Sequence, residues 1–320
     1  MPFGYRVFQF VIGQRNKPDE QHAFNNVDLH KDGAHGLLKE ALQSLVSTGD
    51  ANEQQSMYYT VDAVKEGGWV FQVQSSGGSY GRVRRVRDTA THADTAKIGE
   101  KDAVLDELPL LLVVPSYGRY GLLIASTEGR THHAASLVRL LNMKLKNRKL
   151  ILRLTSDMAD SVAWRNFLNQ PALNVTQLEL TQSKLDQTRQ DFGKPGSVTR
   201  AKVVLSLAQN KSTRSKVINA MRKALTGSGK FDFTGAVGMA NLDADDFDDY
   251  KVVYVMDGRE RSVSVAQDYP HFIYEVEGAA PPTPDELLTE AYGTADHLLT
   301  EMSIQKPPNY WPAVSAFAKL

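Results

Sequence analysis

The sequence predicts an α+β protein, with mixed and antiparallel sheets, packed helices and two domains. Three observations lead there. Short dense apolar runs punctuated by glycines alternate with segments of helical period through the first 150 residues. A fully signposted helix follows near the end of the chain. A length of 320 residues suffices for two cores, and the charge balance changes abruptly along it. Apolar content of 42% and charged content of 23% suit an ordinary globular protein.

Tyr5 to Ile12 reads as the opening strand, and Leu37 to Val46 as a helix whose end falls at Gly49. Met57–Val64 and Trp69–Val73 read as a hairpin turned at Gly67-Gly68. Gly77, Gly78 and Gly81 suggest a loose connection, and the charged stretch from Arg82 to Glu107 shows no clear strand pattern. Leu110–Val114 and Gly121–Ala125 make a second hairpin candidate. Leu137, Leu140, Leu141 and Leu145 share a helical face, in a helix with Thr131 as the expected cap. A strand over Leu150–Leu154 and a helix capped by Ser156 or Asp157 come next. Val175–Leu180 and Ala201–Leu207 read as strands around a long polar loop, followed by a helix over Ser212–Leu225. Lys251–Met256 and Ser262–Val265 flank Asp257-Gly258, a type I′ hairpin signal. In the last helix Thr283 caps, Pro284 takes the first position and Glu286 completes a capping box before a broad apolar stripe. These elements place one domain at about residues 1–150, with residues 266–320 returning to it. A second domain spans about 151–265, basic at first and acidic at its end.

No run approaches 18 apolar residues, so no membrane-spanning helix is expected. The chain has no cysteine, which excludes disulfides, thiolate metal sites and Cys nucleophiles. The first residues lack the basic and apolar regions of a signal peptide, so a cytoplasmic setting is expected.

The net charge is zero in sum and polarised in sequence. Tyr120–Lys230 carries 19 Lys and Arg against 6 Asp and Glu, whereas Phe231–Leu320 carries 5 against 16. A basic middle suggests a polyanionic partner, nucleic acid first. An acidic end that folds onto the basic middle for solubility is the plainer explanation.

Enzyme chemistry is hard to find. No glycine cluster has the Lys-Ser/Thr of a phosphate loop or the context of a dinucleotide site, and no nucleophile elbow appears. The acidic run Asp243, Asp245, Asp246, Asp248, Asp249 lacks the spacing of a calcium loop and reads as a solvated loop. Beside loose glycines at Gly235 and Gly238, it also suggests a segment competing with DNA for the basic surface. His132 and His133 are adjacent and point apart on a helix, which disfavours a shared metal. Asp249 and Lys251 alone suggest a nuclease, without a second carboxylate at a suitable spacing. No catalytic residue, cofactor or metal is therefore expected, and the chain reads as a binding protein rather than an enzyme.

The basic residues carry the functional expectation. Arg82, Arg84, Arg85 and Arg87 fall within six residues; in an extended chain Arg85 and Arg87 share a face. Arg130 sits where a helix N-terminus could receive phosphate, though plain capping is the favoured explanation of that start, since it alone satisfies the free donors. Lys144, Lys146, Arg148 and Lys149 straddle a helix end, where positive charge is also stabilising in itself. Lys211, Arg214, Lys216, Arg222 and Lys223 surround the Ser212–Leu225 helix, with Arg214 and Arg222 expected on its solvent side. These residue types contact phosphates, and no base-reading motif accompanies them. The expected ligand is double-stranded DNA with weak sequence preference.

The order of elements resembles the RexA family of phage-exclusion proteins from temperate phages. The pieces are the opening strand Gly4-Tyr5-Arg6-Val7-Phe8, the helix Leu37–Val46, and the strands Tyr58-Tyr59-Thr60-Val61-Asp62 and Trp69-Val70-Phe71. Then come Leu108-Pro109-Leu110-Leu111-Leu112-Val113-Val114, Tyr120-Gly121-Leu122-Leu123-Ile124, a late hairpin and a C-terminal amphipathic helix. The similarity is one of order and spacing over most of the chain. It implies a dimeric DNA-binding protein of superinfection immunity, a globular domain with a smaller mobile swivel domain, and a membrane-protein partner of the RexB type. The chain departs from that pattern by extra length around Gln187–Thr199 and by the acidic run before the late hairpin. A metal-dependent nuclease, and an immunity component that binds only protein, are the alternatives.

Overall fold

The computed structural model describes residues 3–27, 31–54, 56–129, 131–158, 160–169, 173–182, 201–207, 211–226, 249–256, 259–264, 273–278 and 280–319. Its contacts divide the chain into two compact units, Met1–Asp157 with Phe272–Leu320, and Met158–His271. The fold is α+β, and the pairings below are antiparallel.

The first unit is built on β1 (Phe3–Gln14), β4 (Met57–Gly67), β5 (Val70–Ser79), β9 (Leu110–Val113), β10 (Gly121–Glu128), β11 (Leu150–Met158) and β17 (Ala318–Lys319), in the order β11-β1-β10-β9-β5-β4-β17. Shorter strands extend its edges: β2 (Lys17–Gln21) and β16 (Tyr274–Val276) on β1, β3 (Gly49–Asn52) on β4, and β8 (Val104–Glu107) on β5. Phe3 pairs Glu128 and Phe10 pairs Gly121, which fixes β1 against β10. β9 lies between β10 and β5, with Leu110 opposite Ala125 on one side and Val73 on the other.

The central strands are apolar on both faces because both are covered. Phe8, Phe10, Phe71, Leu110, Leu112 and Leu123 belong to the core shared with α1 (Gly33–Gln43) and α2 (Ala134–Leu145). The alternate residues, such as Val70, Leu111, Val113 and Leu122, are equally buried, and α5 (Pro284–Glu301) packs on β5, β9 and β10. Leu287, Leu288, Ala291, Ala295, Leu298 and Leu299 are its buried stripe. Gln72 on β5 donates to Asp285 Oδ1 at 3.0 Å, and Tyr5 O–H meets Thr294 Oγ1 at 2.9 Å, so these buried polar groups are paired.

The second unit holds α3 (Ser161–Leu168), β12 (Asn174–Gln182), β13 (Ala201–Ser206), α4 (Lys211–Thr226), β14 (Asp249–Met256) and β15 (Arg259–Ser264). Its sheet has the order β13-β12-β14-β15, and α4 packs on α3 and β12. Met256 pairs Arg259 across the expected hairpin, whose turn residues Asp257 and Gly258 lie outside the described residues.

Four expectations are corrected. The stretch Arg82–Glu107 forms β6 (Arg84–Arg87), β7 (Asp94–Ile98) and β8. All of it from Gly81 to Lys97 is exposed, so no buried face imposed an apolar alternation. Gly77 and Gly78 lie inside β5, where a Cβ on Gly78 would run into the Val104 carbonyl of β8. The α1 helix ends at Gln43, with Ser44 Oγ donating to the Ala41 carbonyl at 2.7 Å, while Gly49 opens β3. Asp160, not Ser156 or Asp157, caps α3 by accepting from Ala163 N at 2.6 Å, because β11 runs on through Met158.

Candidate nucleic-acid interface

The basic residues fall into three groups, set by different elements. The first is the C-terminal end of α2. Leu137, Leu140, Leu141 and Leu145 bury the inner face, leaving Lys144 outside. A 3-10 turn over Lys146–Arg148 follows, and Lys149 takes the left-handed conformation with φ 56° before β11 begins. Asn142 fixes this exit: its side chain accepts from Leu152 N at 2.7 Å and donates to Leu152 O at 2.9 Å. The result is an exposed knob bearing Lys144, Lys146, Arg148 and Lys149. Arg15 joins it, since its backbone N–H donates to the Lys149 carbonyl at 2.8 Å and its side chain is exposed. The sequence alone hid Arg15, which is separated from the cluster by more than 100 residues. Arg148 is partly neutralised by Glu40 of α1, at 3.2 Å across a shallow cleft that Lys144 and Ser44 also line.

The second group lies on the β6–β7 ribbon. Arg84 pairs Ile98, Arg85 pairs Lys97 and Val86 pairs Ala96; Arg87 meets Asp94 across an irregularity in register. Arg85 and Arg87 thus share a face, as their spacing predicted. Arg82 precedes the strand, exposed to solvent. The ribbon leaves the sheet beyond Ser79 and returns at Val104. Register places that exit near the Glu128 end of β10, whereas the α2 knob lies near the Gly121 end. The two groups therefore sit at opposite ends of one sheet.

The third group belongs to the second unit, where Arg222 is exposed and Arg214 half-buried, and both are also hydrogen-bonded to neighbouring elements. The Arg222 guanidinium donates to Leu168 O at 2.9 Å and Asn169 Oδ1 at 3.1 Å, capping the carbonyl end of α3. Arg214 donates to Asn174 Oδ1 at the start of β12. Both hold the fold of the unit, and Lys216 is exposed. Lys211 and Lys223 are placed on α4, with their side chains outside the described residues.

The remaining candidates are less favourable. Arg130 and Asp243–Asp248 lie outside the described residues. Thr131 does not cap α2: it pairs with Glu128, and His133 is the N-cap residue, without a side-chain cap bond. His133 instead points into the core, where its ring Nδ1 lies 3.0 Å from Ser75 Oγ. Ser75 gives its one proton to the Leu108 carbonyl at 2.8 Å, so His133 Nδ1–H donates to Ser75. Its burial and the neighbouring His132 push the imidazole down to about 4, and it stays neutral at physiological pH. Strand pairing also brings Glu179 of β12 opposite Lys251 of β14, two residues from Asp249. Sequence spacing could not show that proximity. Glu179 is ion-paired with Lys202 at 2.8 Å. Among the described residues no cluster of three or more His, Asp or Glu could hold a metal ion, and no helix is long and apolar enough to cross a membrane.

No protein-family model matches the chain, and no curated protein matches it by sequence.

Proposed function

We propose that the protein binds duplex DNA through the phosphate backbone, without strong sequence preference, as a binding protein rather than an enzyme. The observation that carries this reading is the α2 knob. Lys144, Lys146, Arg148 and Lys149 project from a rigid helix end beside Arg15, with Glu40 as the acid that meets them. Flexible cations on an exposed helix end suit phosphates, whereas base reading needs side chains that enter a groove. The resemblance to the RexA family supplies the setting of this proposal, phage exclusion and superinfection immunity, with a homodimer and a RexB-type membrane partner.

Titration of random-sequence duplexes at two salt concentrations tests it. Log affinity falls linearly with log salt, and scrambling the sequence changes little. The quadruple variant Lys144→Ala, Lys146→Ala, Arg148→Ala, Lys149→Ala binds more weakly on every sequence. Its salt slope is flatter by up to about 0.9 for each phosphate no longer neutralised. Unchanged circular dichroism shows that the helix end survives. Binding equal to the parent protein removes the knob from the interface.

The register that sets Lys251 opposite Glu179, two residues from Asp249, favours a second reading, a metal-dependent nuclease in the second unit. Duplex cleavage in magnesium that disappears in Lys251→Ala would replace the binding reading. Intact duplex after prolonged incubation retires it.

A further inference from the structure

The β6–β7 ribbon is built as an arm. Every residue from Gly81 to Lys97 is exposed, so it contributes nothing to the core. It is nonetheless ordered from within. Asp88 Oδ1 accepts from Ala90 N at 2.9 Å, Thr91 N at 2.6 Å and Thr91 Oγ1 at 3.0 Å, which closes the tip. Thr95 Oγ1 donates to Val86 O at 3.1 Å, and Gly81 N donates to Glu100 O at 2.9 Å at the base.

Its two faces differ. One carries Val86, Ala96 and Ile98, with Val86 41% exposed, and at its base Arg84, which lies opposite Ile98 and donates to Ser79 Oγ at 3.0 Å. The other carries Arg85, Arg87 and Lys97 around a single acid, Asp94, which lies 2.9 Å from Arg87 Nε and 3.8 Å from Arg85 Nη1. A two-stranded ribbon in water is marginal by itself, and an exposed ribbon of short strands gains from a ligand that covers its faces.

We propose that this ribbon is an arm that enters the major groove of duplex DNA. Its strands lie about 4.8 Å apart, so with side chains it fills a groove about 12 Å wide and 8.5 Å deep. The Val86–Ala96 part of the first face meets the groove floor, where thymine methyls and base edges lie, while Arg84 stays at the base of the arm. The opposite face then stands at the groove mouth, level with the phosphates. Arg85 and Arg87 on β6 reach one rim, and Lys97 on β7 reaches the other. Apolar contact with the floor discriminates weakly between bases, in keeping with low sequence preference. Asp94 restrains the arm by occupying the two guanidinium groups that phosphates would take. This inference rests on the DNA-binding reading and adds a second, groove-seated contact to the knob's backbone contact.

The test uses the full chain and 20-base-pair duplexes in two forms, unmodified and with glucose on the cytosine C5 position, which fills the major groove. In one variant residues 82–99 are replaced by Asn-Gly, joining the hydrogen-bonded pair Gly81 and Glu100 through a two-residue turn; no core residue is removed. This variant is expected to bind unmodified duplex at least tenfold more weakly than the parent and to be indifferent to glucosylation. The parent falls to the variant's level on glucosylated duplex. Arg85→Ala, Arg87→Ala, Lys97→Ala together flatten the salt slope by between two and three units, about 0.9 for each of three phosphates. Asp94→Asn raises affinity severalfold, a gain that unfolding cannot mimic. Equal affinity of the parent and the ribbon-deleted variant for unmodified duplex overturns the arm, as does a parent insensitive to glucosylation. Both results leave knob-mediated binding standing. Absence of any duplex binding by the parent overturns the DNA-binding reading, and the arm with it.

Discussion

Two residues show how much a single side chain decides here. His133 sits at the start of α2, 5% exposed, and donates to Ser75. Its imidazole titrates near 6.5 when unfolded and at about 4 in the fold. The unfolded chain therefore binds the extra proton first. The stability from a neutral His133 is complete above about pH 6.5 and is lost as pH falls towards 4. At pH 5.5, where carboxylates are still ionised, this loss reaches about 1 kcal/mol. His35, also pushed down mainly by burial, acts in the same direction. Urea midpoints measured at pH 7 and 5.5 should differ accordingly, with an NMR titration identifying His133; a His133 resonance that titrates near 6.5 excludes it as the cause. Gly68, at the β4–β5 turn, has φ 53°, and a Cβ there would lie 2.5 Å from the carbonyl oxygens of Asn309 and Tyr310. The neighbouring Trp69 N–H donates to that Tyr310 carbonyl at 2.8 Å. Gly68→Ala is expected to cost about 1–3 kcal/mol through backbone strain, and the C-terminal segment over the turn should become protease-sensitive. Unaltered midpoint and digestion would show that the segment yields without cost. Gly67-Gly68 was readable as a turn; the tail that makes glycine obligatory was not, since it lies 240 residues away.

At the level of the element, legibility followed burial. The strands β1, β5, β9 and β10 carry dense apolar runs because both faces of their sheet are covered, β4 alternates with one face open, and each stood out in the sequence. The α5 helix was legible to the residue. Thr283 Oγ1 accepts from Glu286 N at 3.3 Å, and Glu286 Oε2 accepts from Thr283 N at 2.8 Å. The Thr283 backbone N–H, and its hydroxyl at 2.9 Å, hold the Glu286 carboxyl below its usual range by donating to it. Thr283→Ala should lower stability by about 1 kcal/mol in chemical denaturation, while Thr283→Ser should leave it nearly unchanged. Equal losses in both would place the effect in packing rather than capping. The β6–β7 ribbon was illegible for the converse reason. Its strands bury nothing, so their pattern records ion pairs and a turn rather than a core. On α4 the periodicity left Arg222 exposed as expected and Arg214 half-buried, but it could not show their hydrogen bonds to carbonyl and amide groups of the α3 end and β12, distant in sequence.

At the scale of the molecule, charge that is continuous in sequence is not continuous in space. The basic middle of the chain contributes the α2 knob to the first unit and α4 to the second, while the ribbon lies in the balanced N-terminal part. The knob and the ribbon stand at opposite ends of the sheet containing β10. A strand of eight residues spans about 26 Å, so the two contacts are separated by at least the length of about eight base pairs. A duplex of eight base pairs can then engage one of them at a time. A duplex of 24 can engage both, and the second contact becomes intramolecular, raising affinity well beyond the increase in the number of overlapping sites. On the short duplex, the knob variant and the ribbon-deleted variant should each keep roughly the parent's affinity while losing one binding mode. On the long duplex, either change alone should remove the gain in avidity, and the double variant should bind little better than background. Affinity that rises with length only in proportion to the number of overlapping sites would mean that the two surfaces never hold one duplex together. The knob and the ribbon would then serve separate DNA segments, and bridging of two duplexes, visible as a supershift or as fluorescence transfer between differently labelled duplexes, should appear in its place.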